Sequence, residues 1–383
     1  MGGIHISTAV VLVIIFIYMI FETSVEKLAS AIEAAERVTA RNASLPALST
    51  ILMLVSGKTL KIRATNLSLG VEFELPVKAE SDGVIAVDGK TLYGFLATLP
   101  RNEKVKLSLN ENTLSLAAGT SRTAVKTHPY EDFPTLPPAS GAEASIPKNE
   151  LVRGIKSVYF AAATSDIKPE ISSVYLSSDK NTLFFAATDS FRLAEKKESL
   201  KKPVEFPAVI IPYRNIVEIA RILENTEGEI ALSVNENQIA LRAEGVYITS
   251  RIISGSFPDY KQIIPKEFAT DIIALKQDLL ATLKAANVFT DKFNQITFSI
   301  SPSKKRFECL SKNNDVGEYS GTIEATLSGD DVTISLNQRY LMECLSAIPQ
   351  DSVSISLNGG NKAMVIRGVS DNSFTYLLMP MNR

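Results

Sequence analysis

The strongest constraint on this chain is that it repeats itself. Three stretches, KLSLNENTLSLAAG ending at Gly119, ALSVNENQIALRAEG ending at Gly245 and SISLNGGNKAMVIRG ending at Gly368, each alternate apolar residues, break at an Asn-containing turn and alternate again. Alternation with a period of two, interrupted by a tight polar turn, is the pattern of a β-hairpin. The turns begin at Asn110, Asn235 and Asn358, spaced 125 and 123 residues apart. Other features keep the same interval. ATNLSL begins at Ala64 and ATDSFRL at Ala187, 123 residues later, while Pro134, Pro258 and Pro380 follow one another at 124 and 122 residues. Independent features on one period predict three tandem copies of a single domain.

Each copy opens with an amphipathic helical pattern. Ser24 stands where an N-cap would precede Leu28, Ile32 and Ala35. Leu151, Ile155, Val158 and Ala162 form the second such stripe, and Leu279, Leu283 and Ala286 the third. Spacing of three and four places each set on one helical face, buried against a sheet. A second helix per copy fits KTLYGFLATL, PYRNIVEIARILEN and NQRYLMECLSAI. Alternating runs between them, such as Leu67 to Leu75 and Leu183 to Ala187, predict strands. The fold class is therefore α+β, with two helices per copy packed on antiparallel sheet. The expected boundaries are an apolar N-terminal extension at 1–18, then domains at 19–140, 141–265 and 266–383. LPPASGAEASIP, from Leu136 to Pro147, reads as the first linker and the region of Pro265 to Asp271 as the second.

Catalytic chemistry finds little support. Forty basic and 42 acidic side chains leave a net charge of -2, so a polyanionic partner would have to be met by local charge, not by an overall field. Cys309 and Cys344 are the only cysteines, which is neither a disulfide framework nor a metal-ligand spacing. The two histidines are His5 and His128, the latter beside Pro129 in an expected loop with a structural role. No phosphate-binding glycine loop, dinucleotide fingerprint, zinc-protease motif or serine-hydrolase elbow occurs. No metal or cofactor is expected.

Several segments carry a resemblance to a known family: SLPALS around Pro46, ATNLSL, the EDFP of the first copy, ATDSFRLA at Ala187, SFPDY at Ser256 and the terminal YLLMPMNR. From Met19 onward the chain resembles a bacterial sliding clamp, the β subunit of the replicative DNA polymerase III. The resemblance implies the DNA-clamp fold in a head-to-tail homodimer, a ring of six similar domains around duplex DNA. Such a ring confers processivity on the polymerase as a non-catalytic subunit in the cytoplasm. Its partners would be sequence-independent duplex DNA, the replicative polymerase, the clamp loader and other proteins carrying the clamp-binding motif.

The resemblance also implies sites. A partner-peptide cleft would use Ile171, Thr188, Ser190, Phe191, Arg192, Leu193, Pro258, Gln262, Ile263, Asn337, Tyr340, Leu377, Leu378, Met379, Pro380 and Met381. Leu, Ile, Pro and flexible Met side chains suit an adaptable apolar pocket, and Arg192 and Asn337 are expected to fix the peptide's polar atoms. DNA contacts would come from Arg41 and Lys168 in loops and from Lys27, Lys148, Arg153, Lys156 and Lys284 on the first helices, for each of which a solvated helix face is the alternative. Thr123, Val125, Val288 and Phe289 are the expected dimer contacts. Two features depart from the family pattern: Ser190–Phe191 stands where members often carry Gly-His, and the chain ends Asn382–Arg383 where Arg-Leu is common.

The start of the chain needs its own account. Ile6 to Phe21 has no charged residue, yet these 16 residues are short of the roughly 20 that a spanning helix needs. No Lys or Arg precedes the run, as a secretion signal would require. Three copies of the repeat leave residues 1–18 outside the architecture, so they are expected to be a dispensable extension, read from a start codon placed upstream of Met19. The competing reading is a membrane-anchored or secreted β-rich repeat protein, with the first 21 residues as anchor or signal and the repeats as binding modules; a third is an enzyme built on Thr188 and Asp189.

Overall fold

Much the same order of helices and strands recurs three times in the computed structural model, which describes residues 19–40, 45–165 and 167–381; the second copy has four strands between its two helices where the first and third have five. The 1–18 extension, Arg41 and Asn382–Arg383 lie outside the described residues. The chain forms two compact units: residues up to Leu136 with Gly245–Tyr247, and Pro137–Glu244 with Ile248 onward.

The first unit contains β1 (Ile20–Ser24), α1 (Val25–Val38), β2 (Thr50–Ser56), β3 (Thr59–Thr65), β4 (Leu69–Pro76), β5 (Lys78–Ser81), β6 (Gly83–Asp88), α2 (Gly89–Leu96), β7 (Lys104–Asn110), β8 (Thr113–Ala118) and β9 (Ser121–His128). Its strands pair antiparallel in the order β4-β3-β2-β6-β9-β8-β7-β1-β5. Helix α1 buries Val25, Leu28, Ile32, Ala35 and Val38 against β3 and β4, beside α2. The hairpin read at Asn110 is β7–β8, with Asn110 opposite Thr113.

The second unit runs through β10 (Ala142–Pro147), α3 (Lys148–Val158), β11 (Ser173–Asp179), β12 (Thr182–Thr188), β13 (Arg192–Ser199), β14 (Val209–Pro212), α4 (Tyr213–Glu224), β15 (Glu229–Val234), β16 (Gln238–Ala243) and, from Ile248, the rest of β17 (Val246–Arg251). It continues with β18 (Thr270–Leu275), α5 (Lys276–Asn287), β19 (Gln295–Ser301), β20 (Arg306–Asn313), β21 (Gly317–Thr322), β22 (Ala325–Gly329), β23 (Val332–Asn337), α6 (Gln338–Ala347), β24 (Ser352–Leu357), β25 (Met364–Gly368) and β26 (Phe374–Leu378). Nine strands form the sheet β14-β11-β12-β13-β26-β25-β24-β18-β22, and four form β21-β20-β19-β23. At the centre of the larger sheet, β13 of the second copy pairs antiparallel with β26, the last strand of the third, from Arg192 opposite Leu378 to Lys196 opposite Phe374. Helix α3 lies on β12 and β13 beside α4; α5 lies on β20 and β21 beside α6. The α+β class and the thrice-repeated order follow the sequence reading.

Some local expectations are corrected. Ala142–Pro147, assigned to the first linker, is strand β10, paired with β15; Ala and Ser in its alternation hid the pattern, and the terminal Pro sits where the strand passes into a helix. Thr270 and Asp271 of the second linker likewise begin β18. Leu67 is not a strand residue but an exposed turn residue at φ 69°. His128 ends β9 opposite Ala86 instead of lying in a loop. Ser24 occupies the N-cap of α1 but makes no capping hydrogen bond through its side chain.

Gly154 shows how tightly α3 sits on its sheet. A Cβ there would lie 2.2 Å from the ring of Phe185, which is fully buried. Gly154→Ala should therefore lower stability by about 1–3 kcal/mol in urea unfolding, because overpacking a rigid ring outweighs the gain of about 1 kcal/mol in helix propensity. A stabilised variant would show that the ring yields.

Candidate functional site

The turn between β12 and β13 places the first group of predicted site residues. Thr188 Oγ1 donates to Arg192 O at 2.6 Å and accepts from Ser190 N at 3.1 Å. Asp189 Oδ1 accepts from Phe191 N at 2.9 Å and from Arg192 N at 3.0 Å. Side-chain oxygens thus replace the bonds that a three-residue loop denies its backbone, and Ser190 takes φ 77°. The earlier copy builds the same turn. Thr65 Oγ1 donates to Leu69 O at 2.9 Å, Asn66 Oδ1 accepts from Ser68 N and Leu69 N, and Leu67 has φ 69°. The repeated Thr-Asn and Thr-Asp pairs are turn chemistry, which removes the basis for reading Thr188 and Asp189 as catalytic.

Arg192 stands where the first copy has the buried Leu69, and it is itself buried. Its Nε donates to Asp189 Oδ2 at 2.9 Å, one terminal nitrogen donates to Phe160 O at 2.6 Å, and the other pairs with Glu343 of α6. The guanidinium lies 4.1 Å from the Tyr340 ring centroid and 5.7 Å from that of Phe160. Burial works against its charge, but the hydrogen bond to Glu343 and the charges of Asp189 and Glu343 outweigh burial and raise its pKa. Asn337 caps α6, accepting from Tyr340 N at 3.3 Å, and donates to Phe293 O at 3.2 Å. Both residues expected to grip the peptide's polar atoms therefore already have partners within the protein: Arg192 links the second copy to α6 of the third, and Asn337 bonds within the third copy.

The remaining cleft residues divide by exposure. Leu193, Leu377 and Leu378 are buried; with Ala186, Tyr260, Ala363 and Val365, the first two form a core on which Phe257 and Ile264 pack. Phe191, Ile263 and Met379 are exposed at 64%, 56% and 43%. Ser190, Pro258 and Gln262 are also exposed, while Ile171, Tyr340, Pro380 and Met381 are half-buried. The terminal segment is stitched to the rest by Met379 N donating to Phe191 O and Met381 N to Ser335 O, both at 2.8 Å. Phe191 and Met379 therefore share a rim above an apolar floor. Burial, reinforced by Glu195, raises the hydroxyl pKa of Tyr260 in that floor, and burial pushes the Cys309 thiol up to about 12, an inert thiol. Glu343, Phe160 and Tyr260 were missed by the sequence reading; the one legible signal was an acidic residue inside the apolar run YLMECLSAI.

The basic residues are less open than their spacing suggested. Lys27, Lys168 and Lys284 are exposed. On α3, Arg153 makes a two-pronged bond to Glu198 and Lys156 pairs with Glu224, while Lys148 Nζ donates to Glu224 O at 3.4 Å. Those carboxylates, as hydrogen-bond partners, raise the pKa of both Arg153 and Lys156. Among the expected dimer residues, Thr123 is half-buried and Val125 is buried within its own unit, while Val288 is 63% exposed and Phe289 stacks on Tyr319 at 6.3 Å. No group of three or more metal-ligating side chains occurs among the described residues.

Three α+β repeats and an exposed apolar rim over a buried floor define a repeat scaffold with a surface suited to binding a partner. Residues 19–137, 145–259 and 261–382 match, in turn, the family models for the N-terminal, central and C-terminal domains of the DNA polymerase III beta subunit. The beta sliding clamp of Synechococcus elongatus is 29% identical over 344 residues, spanning 88% of this chain and 92% of that protein. That of Pseudomonas putida is 26% identical over 369 residues, spanning 95% and 100%. Among solved structures, the Pseudomonas aeruginosa sliding clamp bound to griselimycin aligns with TM-score 0.88 at 26% identity, over 95% of this chain and 100% of its own. The Thermotoga maritima beta subunit, at 24% identity and TM-score 0.90 over 95% and 100%, shares the fold. The chain belongs to the bacterial sliding-clamp family, the beta subunits of DNA polymerase III.

The Arg192 node makes a direct prediction. Arg192→Ala leaves the carboxylate of Asp189 without its cation and Glu343 with Arg339 alone, and should cost about 3–5 kcal/mol in urea unfolding. Arg192→Lys, which keeps the charge but loses the fork, should fall between. A loss below about 1 kcal/mol for the alanine variant would show the node to be energetically idle.

Proposed function

We infer that this protein is a DNA sliding clamp, a non-catalytic processivity subunit that closes around duplex DNA as a head-to-tail homodimer and tethers a replicative polymerase. The observation that carries this reading is the unbroken succession of three beta-subunit domain matches along a chain whose element order repeats three times. Tethering then needs no tight grip: a polymerase held near its template by a closed ring stays at high effective concentration. The domain limits proposed are 19–140, 141–265 and 266–383, and the place of action is the cytoplasm. No helix among the described residues is long and apolar enough to cross a membrane.

Ring closure is proposed to join the first copy of one subunit to the third of the other through open sheet edges. On its outer side β9 pairs only at Thr127 and His128, with β6, leaving 121–126 open; β21 is the edge of the four-stranded sheet. Val288 and Phe289 lie next to that edge in the fold through the Phe289–Tyr319 stack. Edge-to-edge pairing would satisfy backbone groups that otherwise invite aggregation. Inside the ring, the cations of the first helices and of the Arg41 and Lys168 loops would meet phosphates without reading sequence.

Two experiments test this reading. Protein loaded by a clamp loader on nicked circular DNA should be retained, and linearising the circle should release it; equal retention on both forms would defeat encirclement. The rim of Phe191 and Met379, with Ile263 and the floor beneath, is the proposed seat of clamp-binding peptides from the polymerase, the clamp loader and other partners. Deleting residues from Leu377 onward would dismantle β26, so point variants are the cleaner probe. Phe191→Ala and Met379→Ala should each weaken a polymerase-tail peptide by about 1–2 kcal/mol, roughly 5- to 30-fold in Kd, at unchanged thermal stability. Undiminished binding would place the site elsewhere.

A further inference from the structure

Helix α3 carries three cations, Lys148, Arg153 and Lys156, more than any other helix in the fold. The nearby carboxylates offset much of that charge. Arg153 Nε and a terminal nitrogen reach the two oxygens of Glu198 at 2.8 and 2.6 Å. The Glu198 side chain is only 6% exposed, whereas that of Arg153 is 54% exposed. If Arg153 turned to a phosphate, a buried carboxylate would lose its closest cation, so this pair resists exchange.

The second carboxylate is held differently. Glu224 is the last residue of α4, an end where the helix dipole disfavours negative charge. Lys156 compensates it there, and Lys148 bonds the Glu224 carbonyl oxygen. Both partners of the Lys156 pair are substantially exposed, at 49% and 40%, so a phosphate can displace Glu224 at little cost. Lys148, Arg153, Lys156 and Glu224 line an open groove of about 580 Å³, to which Ser346 and Ala347 at the end of α6 also contribute.

We propose that Glu198 and Glu224 set the strength of the DNA contact by masking the cations of α3, Glu198 firmly and Glu224 exchangeably, so that the ring holds duplex DNA weakly enough to slide. The proposal rests on the reading of α3 as a DNA-facing helix. A clamp whose processivity comes from closure gains nothing from tight phosphate contacts, which would act as friction along the duplex.

The test is the affinity of the full-length protein for a fluorescent duplex, measured by anisotropy between 50 and 200 mM salt. Each additional phosphate neutralised steepens log K against log salt by roughly 0.9, or about 3.5-fold over this fourfold range. Glu198→Gln should steepen the slope by up to about 0.9 and Glu224→Gln by less, because its lysine already exchanges. The double variant Arg153→Gln, Glu198→Gln should return to the wild-type slope. Wild-type slopes in both single variants, or a double variant as steep as Glu198→Gln alone, would overturn the proposal. Glu224→Gln alters an exposed pair and keeps the test decisive if Glu198→Gln fails to fold. Retention of the wild type on circular DNA is read separately: its loss defeats encirclement, whereas unchanged slopes with retention intact defeat only the masking role.

Discussion

The second unit depends on the pairing of β13 with β26. Two strands nearly 200 residues apart in sequence complete one nine-stranded sheet, so the second and third copies share a single hydrogen-bonded layer. Burial on both faces of β13 brings charges into the interior: Arg192, Glu195, Lys196 and Glu198 are all buried. Each has a partner that makes burial tolerable. Lys196 Nζ donates to Ser373 Oγ at 2.6 Å across the seam, Glu195 meets Lys197 at 3.1 Å, and Arg192 and Glu198 hold the pairs described above. The seam joins the copies by geometry as much as by apolar area, because these partners fit in one register only.

Comparison of the copies separates scaffold from function. What they share is turn and core chemistry: Thr65 and Thr188 close the same loop, and Leu67 and Ser190 take the same positive φ. What differs is what acts. Where the first copy has Ser68 and the buried Leu69, the second has an exposed Phe191 and a buried Arg192. One substitution lifts an aromatic ring onto a rim next to Met379, and the other replaces a core leucine with a cation that fastens two copies together. An identical turn thus serves as plain connection in one place and as a rigid platform in another, and rigid platforms suit binding because little order is lost on association.

Much of the fold was legible because period and spacing are local properties. The six helices lie where apolar stripes predicted them, and the hairpins fall at Asn110, Asn235 and Asn358. Errors gathered where local signals mislead: Ala142–Pro147 looked like part of a linker because it continues the Pro- and Ser-containing run LPPASG and carries small Ala and Ser in its alternation, although its partner β15 lies over 80 residues away. The site was legible as a set of residues and illegible as a set of roles. Arg192 and Asn337 looked available, and only their three-dimensional neighbours, Glu343 and Phe160 for one and the start of α6 for the other, show them already bonded.

By itself the sequence determined the α+β class, the threefold repeat and the absence of a recognisable catalytic motif, because each follows from residue type and spacing along the chain. Only the tertiary structure decided which charges are masked, which leucines form the floor and which aromatic stands on the rim. Those outcomes depend on burial and on contacts between residues distant in sequence, from 45 positions for Arg153 with Glu198 to 151 for Arg192 with Glu343, and no local pattern encodes the distance between them.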